Sequence, residues 1–497
     1  KDPLLSYFYR PIVRMAILFI HMPVSYQSYL AEYPQKYRAI YEALKDAILS
    51  GRLPYGTRLP SSRENALQLG VSRGTINQVY DMLAANGYLD TRRGSGSRIT
   101  YRSEPAGVHA RIATPDLSDW GRRLRSLADD SNVQPEQACV NFVPGHPNPA
   151  LFPRSDWERC LRRAIRKLQP EQKLPIGGYL PLREAIAAHL QRHRGLYAHP
   201  GEIMIMNGSM QAIFILCHLL LGPGRQAVLE SPGYPGTRRA IELTGASIEY
   251  SPVDAEGMTG WQSKARLTFI TPGRQFPTGV TLSYERRMRY IELAERDNTF
   301  LVEDDYDCEF RRSGRAQEPL HVLAPHRVVH LGSFSATLTP ALRIGYAVLP
   351  ESLRPLFERA RQIMEQRPAG RLEQMALAEF IARGHYERYL RRTTRLIAAR
   401  QKVFIESMQA GFPGKFHWVT GDTGLTVFGH WQAGRRKLRN WVRACAAERI
   451  YIQPADRYHF IKSKPGAVFS LSQIEAADIP ARVQQMKHLL DGCTQEN

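Results

Sequence analysis

Five clusters of chemically able residues follow five short apolar runs in the second half of this chain. Gly208-Ser209-Met210-Gln211 comes after Glu202–Met206 and opens a helix expected over Met210–Leu221. The first amides and positive dipole end of such a helix can hold a phosphate. Tyr234, beyond the run Gln226–Glu230, offers a ring face for stacking. Thr271–Gly279 follows Leu267–Ile270, and Glu303–Asp307 follows Thr299–Val302, bringing the Asp304 carboxylate and the Tyr306 hydroxyl. Ser333, Ser335 and Arg343 follow Val328–Leu331 and supply two hydroxyls and a guanidinium, the donors of an anion clamp. Every cluster lies just past a predicted strand, where open α/β sheets place their ligands. Singly, each residue has a plain explanation: Asp304 as a turn cap, Tyr234 as core, Arg343 in an ion pair. Together, at successive strand ends, they point to one site.

The segment Ser333-Phe-Ser-Ala-Thr-Leu-Thr-Pro-Ala-Leu-Arg-Ile-Gly-Tyr346 resembles the Schiff-base segment of fold-type I pyridoxal phosphate (PLP) enzymes, Ser-x-Ser-Lys-x-x-x-Pro-x-x-Arg-x-Gly-Tyr. The resemblance puts Ala336 at the position of the lysine, whose amine forms an imine with the cofactor aldehyde. No catalytic residue is therefore assigned, and transaminase chemistry lacks its base. The resemblance implies that Ser209, Met210, Gln211, Ser333, Ser335 and Arg343 hold the phosphate. It implies too that Tyr234 stacks on the pyridine ring, Asp304 keeps the ring nitrogen protonated and Tyr306 bonds the ring oxygen. PLP is expected non-covalently, or as an external aldimine formed beforehand with an amino compound. Two departures accompany Ala336. The stretch 466–471 lacks the arginine that takes a substrate α-carboxylate in aminotransferases, and Lys173–Gly178 stands where a Tyr-Gly-Asp-Pro run is common.

Earlier in the chain the periodicity is of another kind. Tyr37, Ile40, Tyr41, Leu44 and Ile48 form a helical stripe stopped by Gly51. Ser61 and Glu64 have capping-box spacing for a second helix, which Gly70 ends. Ser72 is the expected N-cap of a third helix that buries Ile76, Val79, Tyr80 and Leu83. Two strands, around Tyr88–Thr91 and Ser97–Thr100, flank the tip Arg92-Arg93-Gly94-Ser95-Gly96. Two helices across a Gly-x-Ser turn are a helix-turn-helix, whose second helix enters the major groove and here exposes Arg73, Thr75, Asn77 and Gln78. Residues 36–100 resemble the GntR winged-helix family through Leu-Pro-Ser-Ser-Arg-Glu, Gly-Val-Ser-Arg-Gly-Thr, Gly-Tyr-Leu and Arg-x-Gly-Ser-Gly. From this resemblance DNA contacts fall to Arg63, Ser72, Arg73, Thr75, Arg92 and Gly96.

In combination, the chain is similar to bacterial regulators of the MocR/GabR type, which fuse such a winged helix to a class I aminotransferase-like domain. The expected fold is multidomain: an N-terminal α+β winged helix-turn-helix and a C-terminal α/β fold-type I domain. The boundaries are an unassigned extension at 1–35, the DNA-binding domain at 36–100, a linker at 101–140 with a short helix near Asp119–Leu127, and the effector domain at 141–497. The resemblance implies a transcription regulator that senses PLP or a PLP–amine adduct. Its partners would be a double-stranded DNA operator, PLP with an amino-compound effector, and a second copy of the chain in a domain-swapped homodimer. An aminotransferase carrying an accessory domain is opposed by Ala336. A plain repressor that has lost its ligand is opposed by the joint retention of Asp304, Tyr306 and Arg343.

Bulk properties agree. A formal net charge of +20 and a pI near 9.8 favour a polyanionic partner. The excess is spread along the chain, so charge alone does not locate the surface. The six cysteines contain no C-x-x-C pair, so neither a zinc site nor a disulfide framework is indicated, and reduced cytoplasmic thiols are expected. The apolar run Pro11–Ile20 is interrupted by Arg14 and falls short of the ~20 residues of a membrane helix. No small-residue cleavage site follows it promptly, and no membrane association is expected.

Overall fold

The structure is a computed structural model that describes residues 24–92, 96–102, 115–127, 140–145, 148–169, 173–312, 314, 317–366, 368, 370–419 and 421–495. It contains two compact units, 1–116 and 117–497.

In the first unit, helices α1 (Lys36–Leu49), α2 (Ser62–Leu69) and α3 (Arg73–Ala85) precede the antiparallel pair β1 (Leu89–Arg92) and β2 (Gly96–Ile99). Local chemistry sets the helix ends. The Ser61 hydroxyl accepts from Glu64 N–H while Glu64 reciprocates on Ser61 N–H, and Gly70 closes α2 in the left-handed region. Ser72 caps α3 by accepting from Thr75 N–H. The core contains Ile40, Leu44, Ile48, Ile76, Val79, Leu83, Leu89 and Ile99. One buried polar link ties α2 to α3. Asn65 Nδ2 donates to the Tyr80 hydroxyl, which donates to Pro60 O, each at 2.9 Å.

The second unit starts with α4 (Asp119–Ser126), where a linker helix is expected. It packs on α8 (Pro235–Thr244), and Arg123 Nε donates to Leu243 O at 2.9 Å. The short strand β3 (Val140–Asn141) pairs in parallel with Ile450–Tyr451. Helices α5 (Arg154–Lys167) and α6 (Leu180–Arg194) lead into an eight-stranded sheet. Its strands are β4 (Ile203–Met206), β5 (Gln226–Ser231), β6 (Ser247–Asp254), β7 (Gly257–Met258), β8 (Leu267–Ile270), β9 (Phe300–Asp305), β10 (Val328–Ser333) and β11 (Gly345–Val348), with α7 (Ser209–Leu220) after β4. The spatial order is β4-β11-β10-β9-β8-β5-β6-β7. The run β10-β9-β8-β5-β6 is parallel, and β11 lies antiparallel between β4 and β10.

Both faces of the sheet are covered, as largely buried parallel strands require. Val302 and Leu331 pack with α7 on one side, and Leu301 and Val328 with Tyr290 and Leu320 on the other. A separate four-stranded antiparallel sheet, built from Phe416–Val419, Thr426–Trp431, Gly466–Ser470 and Gln453–Pro454, has its own aromatic core around Trp431 and Trp441. Their rings stack at 5.7 Å.

Two strands run further than expected. The strand foreseen over Thr299–Val302 continues through Asp305, and that over Val328–Leu331 through Ser333. Of the polar residues at the end of β9, Glu303 and Asp305 find partners there. Glu303 accepts from Leu320 N–H (2.9 Å) and sits 3.2 Å from His330 Nδ1. Burial acts to raise the Glu303 carboxyl, but the hydrogen bond and charge of His330 outweigh it and hold the group at about 2.

Candidate functional site

The candidate site of the large unit lies where β9, β10, β11 and the start of α7 meet. Leu331 of β10 pairs with Asp304 and Gly332 with Asp305, so the turn after β10 carries Ser333, Ser335 and Ala336 alongside Asp304 and Tyr306. Ser333 ends β10 and its hydroxyl accepts from Ser335 N–H, starting the short helix Phe334–Thr337. Ala336 is the third residue of that helix and is half-buried.

Close backbone approach gives the site its floor. A Cβ on Gly345 would stand 2.9 Å from Gly332 O and 3.1 Å from the Gly208 carbonyl carbon. A Cβ on Gly332 would lie inside the Tyr346 ring, 2.2 Å from its Cζ. Gly208, with φ at +85°, turns the chain from β4 into α7. Arg343, itself left-handed at φ +50°, brings its guanidinium over this turn, with Nη2 3.5 Å from Asn207 O. The first amides of α7 and a guanidinium thus converge, and both Ser209 and Met210 are half-buried there. Gln211 is turned elsewhere. Its Oε1 accepts from Asn207 N–H at 2.9 Å and its Nε2 donates to Glu365, so the side chain braces the turn.

Tyr234 stands at the rim, 41% exposed. Its ring meets Phe276 edge-on at 5.8 Å, and Phe276 in turn meets Tyr306 at 5.6 Å and Tyr458 at 5.0 Å. Desolvation raises the Tyr234 hydroxyl, the Asp304 carboxylate adds to this, and Arg239, Arg343 and Arg457 oppose it.

Two polar groups in the site are enclosed without a protein partner: Asp304 Oδ1 and the Ser335 hydroxyl. Such groups are costly unless a ligand or water satisfies them. Burial, reinforced by the Asp305 carboxylate, raises Asp304 to about 7. A cation beside it would reverse that shift. The Tyr306 hydroxyl accepts from Arg274 Nη1 and keeps its own proton to donate.

Arg274, within the Thr271–Gly279 cluster and given no role from sequence, is the residue that organises this corner. It is buried, lies 3.3 Å from Asp307 Oδ2 and donates to Thr423 O and to Thr426 O and Oγ1. Gly424 is required beneath it, since a Cβ there would come within 2.2 Å of Arg274 Nε. Asp305 is similarly paired with the buried Arg194 at 2.8 Å. Among the described residues one set of metal-ligand types converges, His189, His193 and Glu387, on α6 and the helix His385–Gly411. Arg192 already shares Glu387 at 3.3 Å.

In the small unit, α3 exposes Arg73, Asn77 and Gln78 and leaves Thr75 half-buried. Arg63 is exposed on α2, and Arg73 Nε approaches the Ser62 hydroxyl of that helix at 3.4 Å. The Ser72 hydroxyl is shared between Thr75 N–H and Thr75 Oγ1. Arg92 ends β1, with its side chain and residues 93–95 outside the described residues. Gly96 has φ +78°, and a Cβ there would stand 3.0 Å from Arg58 Nε. Arg58, on which the sequence reading made no assignment, forms an isolated antiparallel β-bridge with Arg98 of β2.

Comparison with known proteins agrees with both halves. Residues 36–99 match the family of bacterial regulatory proteins, gntR family, and residues 163–468 match aminotransferase class I and II, a PLP-dependent family. The chain is 34% identical to the probable rhizopine catabolism regulatory protein MocR of Rhizobium meliloti, covering 88% of this chain and 90% of that one. It is 34% identical to the HTH-type pyridoxine biosynthesis transcriptional regulator PdxR of Corynebacterium glutamicum, over 74% and 77% of the two chains. It is 33% identical to the HTH-type transcriptional regulator TauR of Rhodobacter capsulatus, over 76% and 82%. Among solved structures, the multiple substrate aminotransferase of Thermococcus profundus shares the fold at TM-score 0.68 and 21% identity, over 77% of this chain and 98% of that one. LysN of Thermus thermophilus, an α-aminoadipate aminotransferase complexed with N-(5'-phosphopyridoxyl)-L-leucine, does so at TM-score 0.65 and 24% identity, over 73% and 94%. With a helix-turn-helix on one unit and an aminotransferase-like sheet in the other, the chain belongs to the MocR-type transcription regulators of the GntR family.

Proposed function

We propose that this regulator senses PLP, alone or joined to an amine, through the site at the ends of β9 and β10, and holds it without a covalent bond. The observation that carries the reading is the pairing of enclosed, unsatisfied Asp304 Oδ1 and Ser335 Oγ with the Arg343 guanidinium over the start of α7. Those groups fit the two polar ends of the cofactor. Ser209, Met210, Ser333, Ser335 and Arg343 take the phosphate, through α7 amides, hydroxyls and one guanidinium. Asp304 takes the ring nitrogen, Tyr234 covers the ring face and Tyr306 donates to the ring oxygen. Gln211 contributes indirectly by holding the Asn207–Gly208 turn.

PLP supplies an aldehyde and an electron-withdrawing ring. In this chain Ala336 stands at the position of the lysine amine and offers no nucleophile, so the protein's residues bind and orient without turning over. The DNA arm consists of Arg63, Arg73, Thr75 and Arg92, with Ser72 positioning α3 and Gly96 letting the wing turn. A domain-swapped homodimer on a double-stranded operator in the cytoplasm completes the reading. No helix among the described residues is long and apolar enough to cross a membrane.

The test uses the full chain and PLP. A bound visible chromophore that borohydride does not fix to the polypeptide supports the reading. Ala336→Lys should convert it to one that borohydride does fix. Absence of any cofactor signal in both forms overturns it.

A further inference from the structure

Away from the strand ends, α6 and the helix His385–Gly411 bring two imidazoles and a carboxylate together. His189 and His193 are four residues apart on α6, so their rings share one face, with centroids 4.6 Å apart. Glu387 lies in the first turn of the other helix. Its Oε1 is 3.9 Å from His189 Nδ1 and 3.8 Å from His193 Nε2. The three donor atoms all lie within 4.8 Å of one another.

These separations are too long for hydrogen bonds and near the spacing of ligands around a metal ion. A tetrahedral Zn²⁺ bound at ~2.0–2.1 Å sets its donors about 3.3 Å apart, so small side-chain rotations close the gap. The His189 side chain is only 2% exposed, and both of its ring nitrogens are enclosed without a hydrogen-bond partner. Glu387 Oε2 is enclosed and unpartnered as well. Leaving such groups unsatisfied costs free energy, part of which coordination recovers. The His193 side chain, 40% exposed, opens the cluster to solvent and gives a cation its way in. Arg192 competes from the solvent side, with Nη2 3.3 Å from Glu387 Oε1. That side chain is 58% exposed, so it can turn into water as the ion enters.

We infer that His189, His193 and Glu387 bind a divalent transition metal, Zn²⁺ fitting best, as a clamp between the two helices. Two imidazole nitrogens and one carboxylate oxygen suit Zn²⁺, whereas Mg²⁺ and Ca²⁺ take oxygen ligands. Water fills the fourth position. The clamp lies one residue behind two braces of the candidate site. Arg194 pairs with Asp305 at 2.8 Å, and the Tyr386 hydroxyl is 2.8 Å from Thr337 Oγ1. The inference does not depend on the cofactor reading.

The test uses the untagged full chain, stripped with EDTA and dialysed, with Zn²⁺ alone as the probe. Calorimetry should find a tightest site of a single Zn²⁺ per chain with Kd of about 10 μM or below, which millimolar Mg²⁺ does not displace. Zn²⁺ at about a hundredfold over that Kd should raise Tm by about 3 °C. His193→Gln and Glu387→Gln should each weaken Zn²⁺ at least about tenfold and lose the gain in Tm. The His193 side chain is partly in solvent, so without metal that variant should melt as the wild type does. Arg192→Ala releases Glu387 and should tighten Zn²⁺ by about threefold or more, a gain that misfolding does not produce. Absence of Zn²⁺ binding by the wild type at about 100 μM overturns the site. So does an affinity unchanged in both His193→Gln and Glu387→Gln, which would place the ion elsewhere.

Discussion

Arg343 lies over Gly208, its Nη2 3.5 Å from where a Cβ on that glycine would be. The cationic half of the proposed anion cradle and the helix-opening turn are therefore already in contact. Arg343→Met should weaken PLP about tenfold or more, yet leave binding of pyridoxal without its phosphate unchanged. Parallel fluorescence titrations with the two compounds check this. Gly208→Ala puts a side chain at φ +85° and ψ 161°, a backbone region essentially reserved for glycine, costs ~1–3 kcal/mol and should lower both stability and PLP affinity.

In the proposed site Asp304 would set cofactor affinity against stability. Its carboxyl is raised from the ordinary 3.8 to about 7 by burial and the nearby Asp305. An acid that holds its proton more tightly when folded gives its full stabilisation below its unfolded pKa. That contribution is lost as pH climbs from about 4 to about 7. Asp304→Asn removes this loss, so the cofactor-free variant should match wild type near pH 4 and melt a few degrees higher above pH 7. The same variant should bind PLP at least about tenfold more weakly, because an amide does not neutralise a protonated ring nitrogen. Thermal melts across pH, with and without PLP, read both effects.

On the DNA side, Arg73 is exposed on α3 with only a 3.4 Å approach to Ser62. Arg73→Ala should weaken operator binding and reduce the salt slope of log affinity by about one if it meets a phosphate. If it reads a base edge, sequence preference should fall while the salt slope stays. Ser72→Ala removes the cap of α3 and should cost ~1 kcal/mol. Electrophoretic shifts at several salt concentrations distinguish these outcomes.

Arg274→Met leaves Asp307 buried beside a missing cation and should destabilise the large unit by ~3–5 kcal/mol. Adding Asp307→Asn should recover part of the loss, since the uncompensated charge is then gone. Thermal unfolding of the single and double variants measures the recovery.

Much of this was legible in the residues. Ser61 and Glu64 form the box their spacing implied, Gly70 and Ser72 bound the helices as expected, and Ile76, Val79, Tyr80 and Leu83 are buried. These features depend on neighbours within a few positions, where sequence carries the geometry directly. The longer β9 and β10 were not legible, because Glu303 and His330 stabilise each other across strands and local propensity sees only polar residues. Arg274 was visible as a letter in a motif, but its partners Asp307, Thr423 and Thr426 come from distant segments. Arg58 and Asn65 gave no sequence signal, and their roles depend on Gly96 and Tyr80. For Gln211 the helix-opening motif located the residue correctly, while its side chain was claimed by Glu365, 154 positions away.

The guanidinium of Arg274 holds the Tyr306 hydroxyl with one nitrogen and the 423–426 loop of the four-stranded sheet with the others. It works as a lever whose two ends cannot be set independently. Any shift of that loop must re-aim the group holding Tyr306, and any ligand that pulls on Tyr306 loads the loop in return. Occupancy of the proposed cofactor site would in this way be felt by the 423–426 loop of the four-stranded sheet.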